Sequence, residues 1–311
     1  MTLKPDSLDS LRVALAKAAA IGERAQCVDL SGLAKVREHT PEDMTVTVDA
    51  GVTLAALQAQ LSLSGQWLPV DPPQAKHASV RELLDENLSG PRRFGYGTIR
   101  EHLIGIGVVL ADGRLIHAGG KVVKNVAGYD LCKLFVGARG TLGVIVEATF
   151  KLRPLPEAEK FVAIECPSLD DAGAQIERVM DSPLTPVVLD LHNGSGRGRF
   201  AVVLGLAGTR AEVGWQLERA TELGFSDPAD LDYERAFWAE TGSPQKLSVA
   251  PSDLIAAIRS LGDVSFVARA GNGVVFHYGG PVPLKAELPW ELFRRAKDAY
   301  DPKRVFPEPT P

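Results

Sequence analysis

Cysteine, aromatic residues and positive charge are all in short supply in this chain. Its three cysteines, Cys27, Cys132 and Cys166, lie far apart and form no C-x-x-C pair. An iron–sulfur cluster or structural zinc held by this chain alone is therefore not expected. An odd cysteine count without a framework points to a reducing compartment, with each cysteine a small buried hydrophobe. The six histidines, His39, His77, His102, His117, His192 and His277, show no H-x-H or H-x-x-x-H spacing, so none pairs with another as a metal ligand. The net charge is −5 and the sequence pI is near 5.8, which argues against a nucleic-acid partner. No apolar run approaches the length of a membrane span. The opening stretch reads as an amphipathic helix behind a capping Asp or Ser rather than a secretory signal. These absences lead us to expect a cytoplasmic protein, with any membrane association arising through a complex.

What remains is ordinary globular composition, 45% hydrophobic and 23% charged over 311 residues, enough for two domains or one large one. The spacing predicts a helix over Ser7–Ile21, a short strand and turn over Cys27–Val36, and a strictly alternating strand over Met44–Gly51. A helix over Val52–Gly65 closes on glycine. Ser79–Arg93 begins as a short helix and ends in a loop. Asp112-Gly113 marks a hairpin between strands ending at Leu110 and Ile116. Tyr129–Gly140 reads as a short helix. Pro154 and Pro156 mark a domain boundary, giving domains over 1–155 and 156–311. Strands and capped helices then alternate, which suggests an α+β unit with a largely antiparallel, helix-covered sheet. The helix before the tail, PWELFRRAKDAY, is expected to pack on this second unit. Trp215, Trp238, Trp290 and Phe293 look like core or interdomain packing.

The chain is organised around Leu88–Arg153, whose centre is GGKVVKNVAGYD (Gly119–Asp130). Glycines at 119, 120, 128, 137, 140 and 143 alternate with β-branched runs, a pattern suited to wrapping a flat, charged ligand. The segments LSGPRRFGYGTIREH, KNVAGYD and GTLGVIVEATFKLRP occur in the order seen in the FAD-binding domain of the vanillyl-alcohol oxidase / p-cresol methylhydroxylase superfamily. They most resemble the FAD-binding E-subunit family of glycolate oxidases. GQWLPVDPP, KLSVAPSDL, RAGNGVV and the DPKRVF tail extend the resemblance over nearly the whole chain.

The resemblance implies a two-lobed, PCMH-type FAD-binding domain, an α+β cap domain and a tail that returns to the FAD domain. Carried over by position, the cofactor-binding candidates are Ser89, Gly90, Arg92, Tyr96, Gly97, Lys124, Asn125, Gly128, Tyr129, Gly140, Gly143, Val144 and Ile145. In the family, glycine-rich loops bring backbone N–H groups to the FAD pyrophosphate, and main chain near Ile145 would meet the adenine. Arg92 and Arg93 would neutralise phosphate, or else pair with Glu82 and Asp85. The implied activity is oxidation of a small 2-hydroxy acid such as glycolate, or relay of its electrons. It would occur beside a homologous flavin subunit and an iron–sulfur subunit.

Two departures stand out. The family's early Arg-Gly-Gly-Gly loop is missing from AAAIGERAQCVDLSGL, so the first lobe is shortened. Where small residues precede LSGPRR in the family, this chain reads SVRELLDEN. Bulk and negative charge there oppose a pyrophosphate, which leaves a flavin-free structural subunit as the alternative reading. No catalytic base can be named from the motifs. His277, beside Tyr278, is the best positional guess, set against a plain strand residue with a satisfied hydrogen bond.

Overall fold

The protein is described by a computed structural model over residues 1–73, 77–120, 131–194, 199–226, 228–281 and 289–309. In chain order the first part comprises β1 (Thr2–Leu3), α1 (Leu8–Ile21), β2 (Cys27–Val28), β3 (Val36–Thr40), β4 (Thr45–Asp49), α2 (Leu54–Ser62) and β5 (Gln66–Trp67). It continues with α3 (Val80–Asp85), α4 (Arg93–Tyr96), α5 (Ile99–His102), β6 (Leu103–Val109), β7 (Leu115–Gly119), α6 (Leu131–Phe135), β8 (Val144–Lys151) and β9 (Arg153–Pro154). The second part comprises β10 (Ala158–Cys166), α7 (Leu169–Met180), β11 (Val188–His192), β12 (Phe200–Gly208), α8 (Arg210–Glu222) and α9 (Asp232–Trp238). It ends with β13 (Gln245–Ser248), α10 (Leu254–Leu261), β14 (Ser265–Arg269), β15 (Val274–Tyr278) and α11 (Trp290–Tyr300).

Local signals explain most of these elements. Ser7 caps α1 through the Ser10 amide, and left-handed Gly22 ends it. Ser79 and Glu82 form a capping box on α3, and Thr209 and Glu212 another on α8. The Asp112-Gly113 turn joins β6 to β7, with Gly113 at φ +81°. The glycine is required there, because a Cβ would fall 2.5 Å from the Arg12 carbonyl oxygen of α1.

Among the described residues, the first part builds an antiparallel sheet in the order β3-β4-β8-β6-β7. Leu11 and Leu15 of α1 and Leu57 and Leu61 of α2 pack on its Val46, Val108 and Phe150. β4 departs from expectation. Its alternation of Thr and Val suggests one wet face, yet all five residues are buried. The polar face is covered because Thr47 bonds Thr149 at 3.0 Å and Asp49 pairs with Arg37.

The second part forms a six-stranded antiparallel sheet, β10-β12-β11-β14-β15-β13. One face buries Leu189, Leu191, Leu204 and Ala268 against α7, α8 and α10 in a core of its own. The opposite face carries Asp190 and Arg269, which are partners in register between β11 and β14.

The chain's last helix does not follow expectation. Tyr300 of α11 meets Phe135 edge-on at 5.5 Å, and Ala296 packs on the first core rather than the second. Val305 and Phe306 are fully part of that first core. Two of the four aromatics expected to be packed, Trp215 and Phe293, are exposed at 46% and 44%. Cys27 is also exposed, whereas Cys132 and Cys166 are buried.

Candidate cofactor and substrate cleft

Asp71 and the stretch Gly90–Gly97 lie at the junction of the two parts, where Arg92 reaches Glu159 and the Gly95 amide bonds the Val187 carbonyl. At Gly90 the chain lies directly on Asp71, and a Cβ there would sit 1.8 Å from the Asp71 carbonyl oxygen. The next arginine is a strut. Arg92 donates to Asp71 at 2.7 Å and forks onto Glu159 of β10 at 2.7 and 2.6 Å, with its guanidinium over the Phe161 ring. Its hydrogen-bonding capacity is thus directed to Asp71 and Glu159, not to Glu82 or Asp85. Burial pushes the Asp71 carboxyl up to about 6 despite the Arg92 charge beside it. Tyr96 stands edge-on to Trp67 at 5.3 Å beneath the Arg153 guanidinium, and Gly97 takes the left-handed φ of +85° that turns the chain into α5.

The four charged residues of SVRELLDEN divide by direction. Glu82 turns back to cap Ser79, and Glu86 pairs with Arg139 at 3.2 Å. Arg81 and Asp85 turn inward as an ion pair at 3.0 Å. Arg81 also donates to the Val28 carbonyl, and the Gly140 amide bonds Asp85. Burial pushes the Asp85 carboxyl up to about 6, against the Arg81 charge. This pair fills the space beside Gly140, where a Cβ would lie 3.5 Å from Arg81 and 3.6 Å from Asp85. Gly143 has a packing reason of its own, because a Cβ would fall 2.6 Å from Val108. Val144 and Ile145 follow with buried side chains. β4 stops pairing with β8 at Glu147, so residues 144–145 are laddered to β6 only. Lys124, Asn125, Gly128 and Tyr129 lie outside the described residues.

Two observations fit a cofactor at this junction. The Asn87 side-chain oxygen and the Ser89 hydroxyl are buried without a hydrogen-bond partner among the described residues. Buried polar atoms are rarely left so, and a ligand rich in donors and acceptors would satisfy both. Asn87 also holds a left-handed φ of +49°, a strained geometry in the same short loop.

Across the junction the charge is positive. The Arg93 Nε is buried with no acceptor, and Lys246 of β13 makes no hydrogen bond or ion pair among the described residues. Burial and the nearby Arg269 charge lower the Arg93 pKa, against the opposing pull of Glu101. Burial, then Arg93 and Arg139, lower that of Lys246. Arg269 itself is committed. Its guanidinium is held by Asp190 and by both Glu234 oxygens, at 2.6 and 2.8 Å. Tyr233 donates to Asp190 at 2.7 Å and stacks on His192 at 4.3 Å. Burial pushes Asp190 up to about 7 and pulls His192 down to about 4. His277 takes no part in this face. It is wholly buried, pairs in register with core residue Phe266, and its Nδ1 contacts the Gly279 carbonyl at 2.6 Å. Sequence reasoning missed Asp71, Glu159, Asp190, Lys246 and Arg269. The available signal was a charge at an inward position of an apolar strand, as in VVLDLH and SFVAR.

The FAD binding domain family profile matches residues 14–119. The glycolate oxidase subunit GlcE of Escherichia coli (strain K12) is 31% identical over 302 residues, covering 90% of this chain and 85% of that one. The glycolate oxidase subunit GlcD of Bacillus subtilis (strain 168) is 36% identical over 156 residues, 50% of this chain and 33% of GlcD. A probable mitochondrial D-lactate dehydrogenase of Danio rerio is 40% identical over 149 residues, 47% of this chain and 30% of its own length. The chain thus spans about a third of the GlcD and lactate dehydrogenase relatives but most of GlcE. Among solved structures, an alkyldihydroxyacetonephosphate synthase superposes with a TM-score of 0.72 over 98% of this chain and 76% of the synthase. Its sequence identity is 16%, a likeness of fold: α+β, of the PCMH type.

Proposed function

The chain belongs to the family of the glycolate oxidase subunit GlcE, and from that membership we propose that it is an FAD-binding oxidoreductase subunit acting on a small 2-hydroxy acid such as glycolate. The observation that carries this reading is the Arg93 Nε at the junction, buried without a hydrogen-bond acceptor among the described residues, with exposed Lys246 of β13 close enough to feel its charge. A guanidinium nitrogen left without an acceptor, beside a lysine whose pKa it lowers, favours an incoming anion, and a 2-hydroxy acid brings a carboxylate. Arg269 cannot serve that role, because Asp190 and Glu234 already neutralise it.

In this reading the first core with its returning tail is the FAD domain, and the six-stranded sheet is the cap. Asn87, Ser89, Gly90 and the Tyr96–Gly97 turn would hold the cofactor on one side, with the edge at Val144–Ile145 on the other. Bound FAD supplies the two-electron acceptor. The chain's own part is to orient the acid through Arg93 and Lys246 and to keep the junction closed through the Arg92–Glu159 fork. The protein would work in the cytoplasm, beside a homologous flavin subunit and an iron–sulfur subunit that takes the electrons onward.

The test is the visible absorption spectrum of the purified chain supplied with FAD, followed by glycolate under anaerobic conditions. A bound-flavin band that bleaches on addition is expected. A colourless protein, alone and in its complex, would sink the cofactor reading.

A further inference from the structure

A further concavity lies between α11 with the tail and the turn that follows α6, the turn that also carries Gly140. Its volume is about 740 Å³, and Leu134, Val136, Leu142, Trp290, Phe293 and Pro307 line it. Leu292 and Phe293 project from α11 with 59% and 44% of their surface exposed. An open apolar groove with two large exposed side chains on one helix marks an interaction site rather than a scattered surface residue. Its surroundings are cationic in a chain of net charge −5. Arg100, Lys133 and Arg139 stand in the lining against one acid there, Glu308, and Arg294 and Arg295 are exposed on α11; Arg139 is shared with Glu86, which leaves the balance positive.

We propose that this groove is the docking seat for another subunit, which inserts an amphipathic helix whose apolar stripe is flanked by aspartate or glutamate. The inference rests on the reading of the chain as a subunit. Three physical arguments select that occupant. The groove is concave, with Val136 and Leu142 at its buried floor, so a flat lipid surface cannot reach what a helix can. A second copy of this chain, docked about a two-fold axis, would set Arg294 and Arg295 against their own duplicates. The cations favour an acidic partner instead. The seat is also preformed, because buried Lys297 ties α11 to the Thr141 carbonyl at 2.8 Å and to the tail at Phe306 and Pro307. Little ordering is left for binding to supply.

The test uses the full chain produced together with the GlcD-type flavin subunit from the same source. A photoreactive residue replaces Leu292, and the adduct is mapped by mass spectrometry. We expect a cross-link to that subunit within a segment carrying acidic residues on both sides of an apolar stripe. Leu292→Asp with Phe293→Asp, and separately Arg294→Glu with Arg295→Glu, should each weaken co-purification at least tenfold at an unchanged unfolding midpoint. Adducts to the chain itself or to lipid overturn the proposal, as does undiminished complex in both variants. A wild-type chain that binds no flavin subunit overturns it together with the subunit reading. FAD content measured on the same samples separates the two. A colourless chain that still holds its partner through the groove removes the cofactor reading and leaves the seat standing.

Discussion

Lys297 and Asp301, one turn apart at the end of α11, form an ion pair at 2.6 Å with both side chains wholly out of solvent. The ammonium also donates to the Thr141, Phe306 and Pro307 carbonyls, while Asp301 accepts from the Val305 and Phe306 amides. Every member of this knot depends on the others. Lys297→Met would leave a buried carboxylate and three carbonyls without their donor. The expected loss is about 3–5 kcal/mol of stability, read as a shift in the urea midpoint. A shift within error would show that the tail is held by apolar packing alone.

The Arg92 fork makes a second prediction. Arg92→Ala removes the charge between Asp71 and Glu159 and should cost about 3 kcal/mol, because Asp71 stays behind inside the junction. Arg92→Lys should recover only part of it, since an ammonium cannot span both carboxylates in fork geometry. Equal unfolding midpoints for the two variants would contradict this account.

Asp190 gives the pH dependence a sign. Burial raises its carboxyl from the ordinary 3.8 to about 7, so between about pH 4 and 7 the folded chain keeps a proton that the unfolded chain has released. Its contribution to stability therefore falls as pH rises through that window and is flat above it. His192, held neutral down to about 4 by burial, acts in the opposite direction between about pH 4 and 6.5. Asp190→Asn removes the first effect and leaves the second. Its stability should climb with pH relative to wild type, by up to about 1.4 kcal/mol per pH unit. Urea titrations at a series of pH values test this, and parallel curves for the two proteins would refute it.

Lys246→Ala should raise KM for a 2-hydroxy acid roughly 10- to 100-fold, the loss of one charge-assisted hydrogen bond. Lys246 sits on the outermost strand of its sheet with no internal partner among the described residues, so the unfolding midpoint should hold. A fall in kcat with KM unchanged would place Lys246 outside substrate binding.

Asp85→Asn tests the space beside Gly140. The carboxylate now bonds the Gly140 amide and repels any phosphate brought near it. Neutralising it should tighten FAD binding on the order of tenfold, measured by flavin fluorescence quenching. Weaker binding would mean that Asp85 instead holds Arg81 in place as a phosphate ligand.

The elements themselves were largely legible. Capping residues and periodicity located α1, α2, the β6–β7 hairpin and the alternation of the second part, because these signals act over a few residues. The charge clusters were not, because they are built across the fold: Arg92 meets Glu159 67 residues on, and Asp190 meets Arg269 79 residues on. β4 misled for a related reason. Its threonines look outward in sequence yet are buried, with Thr47 bonded to Thr149 of the neighbouring strand β8, which comes from the far end of the same unit. The inward turn of Arg81 and Asp85, against the outward turn of Glu82 and Glu86, follows from helix phase, which a six-residue helix is too short to announce.

The returning tail has a consequence for the order of assembly. The Ala25 amide bonds the Val305 carbonyl at 2.8 Å, so a loop near the chain's beginning closes on a residue almost three hundred positions later. The six-stranded sheet between them draws all its strands from one continuous stretch, β10 to β15. That sheet needs no strand from the first unit to complete its ladder. The first unit must wait, open along its α1 side, until Val305 and Phe306 emerge. Released chains truncated short of Val305 should therefore carry a finished six-stranded sheet beside an unfinished first unit, the state most exposed to chaperones and proteases.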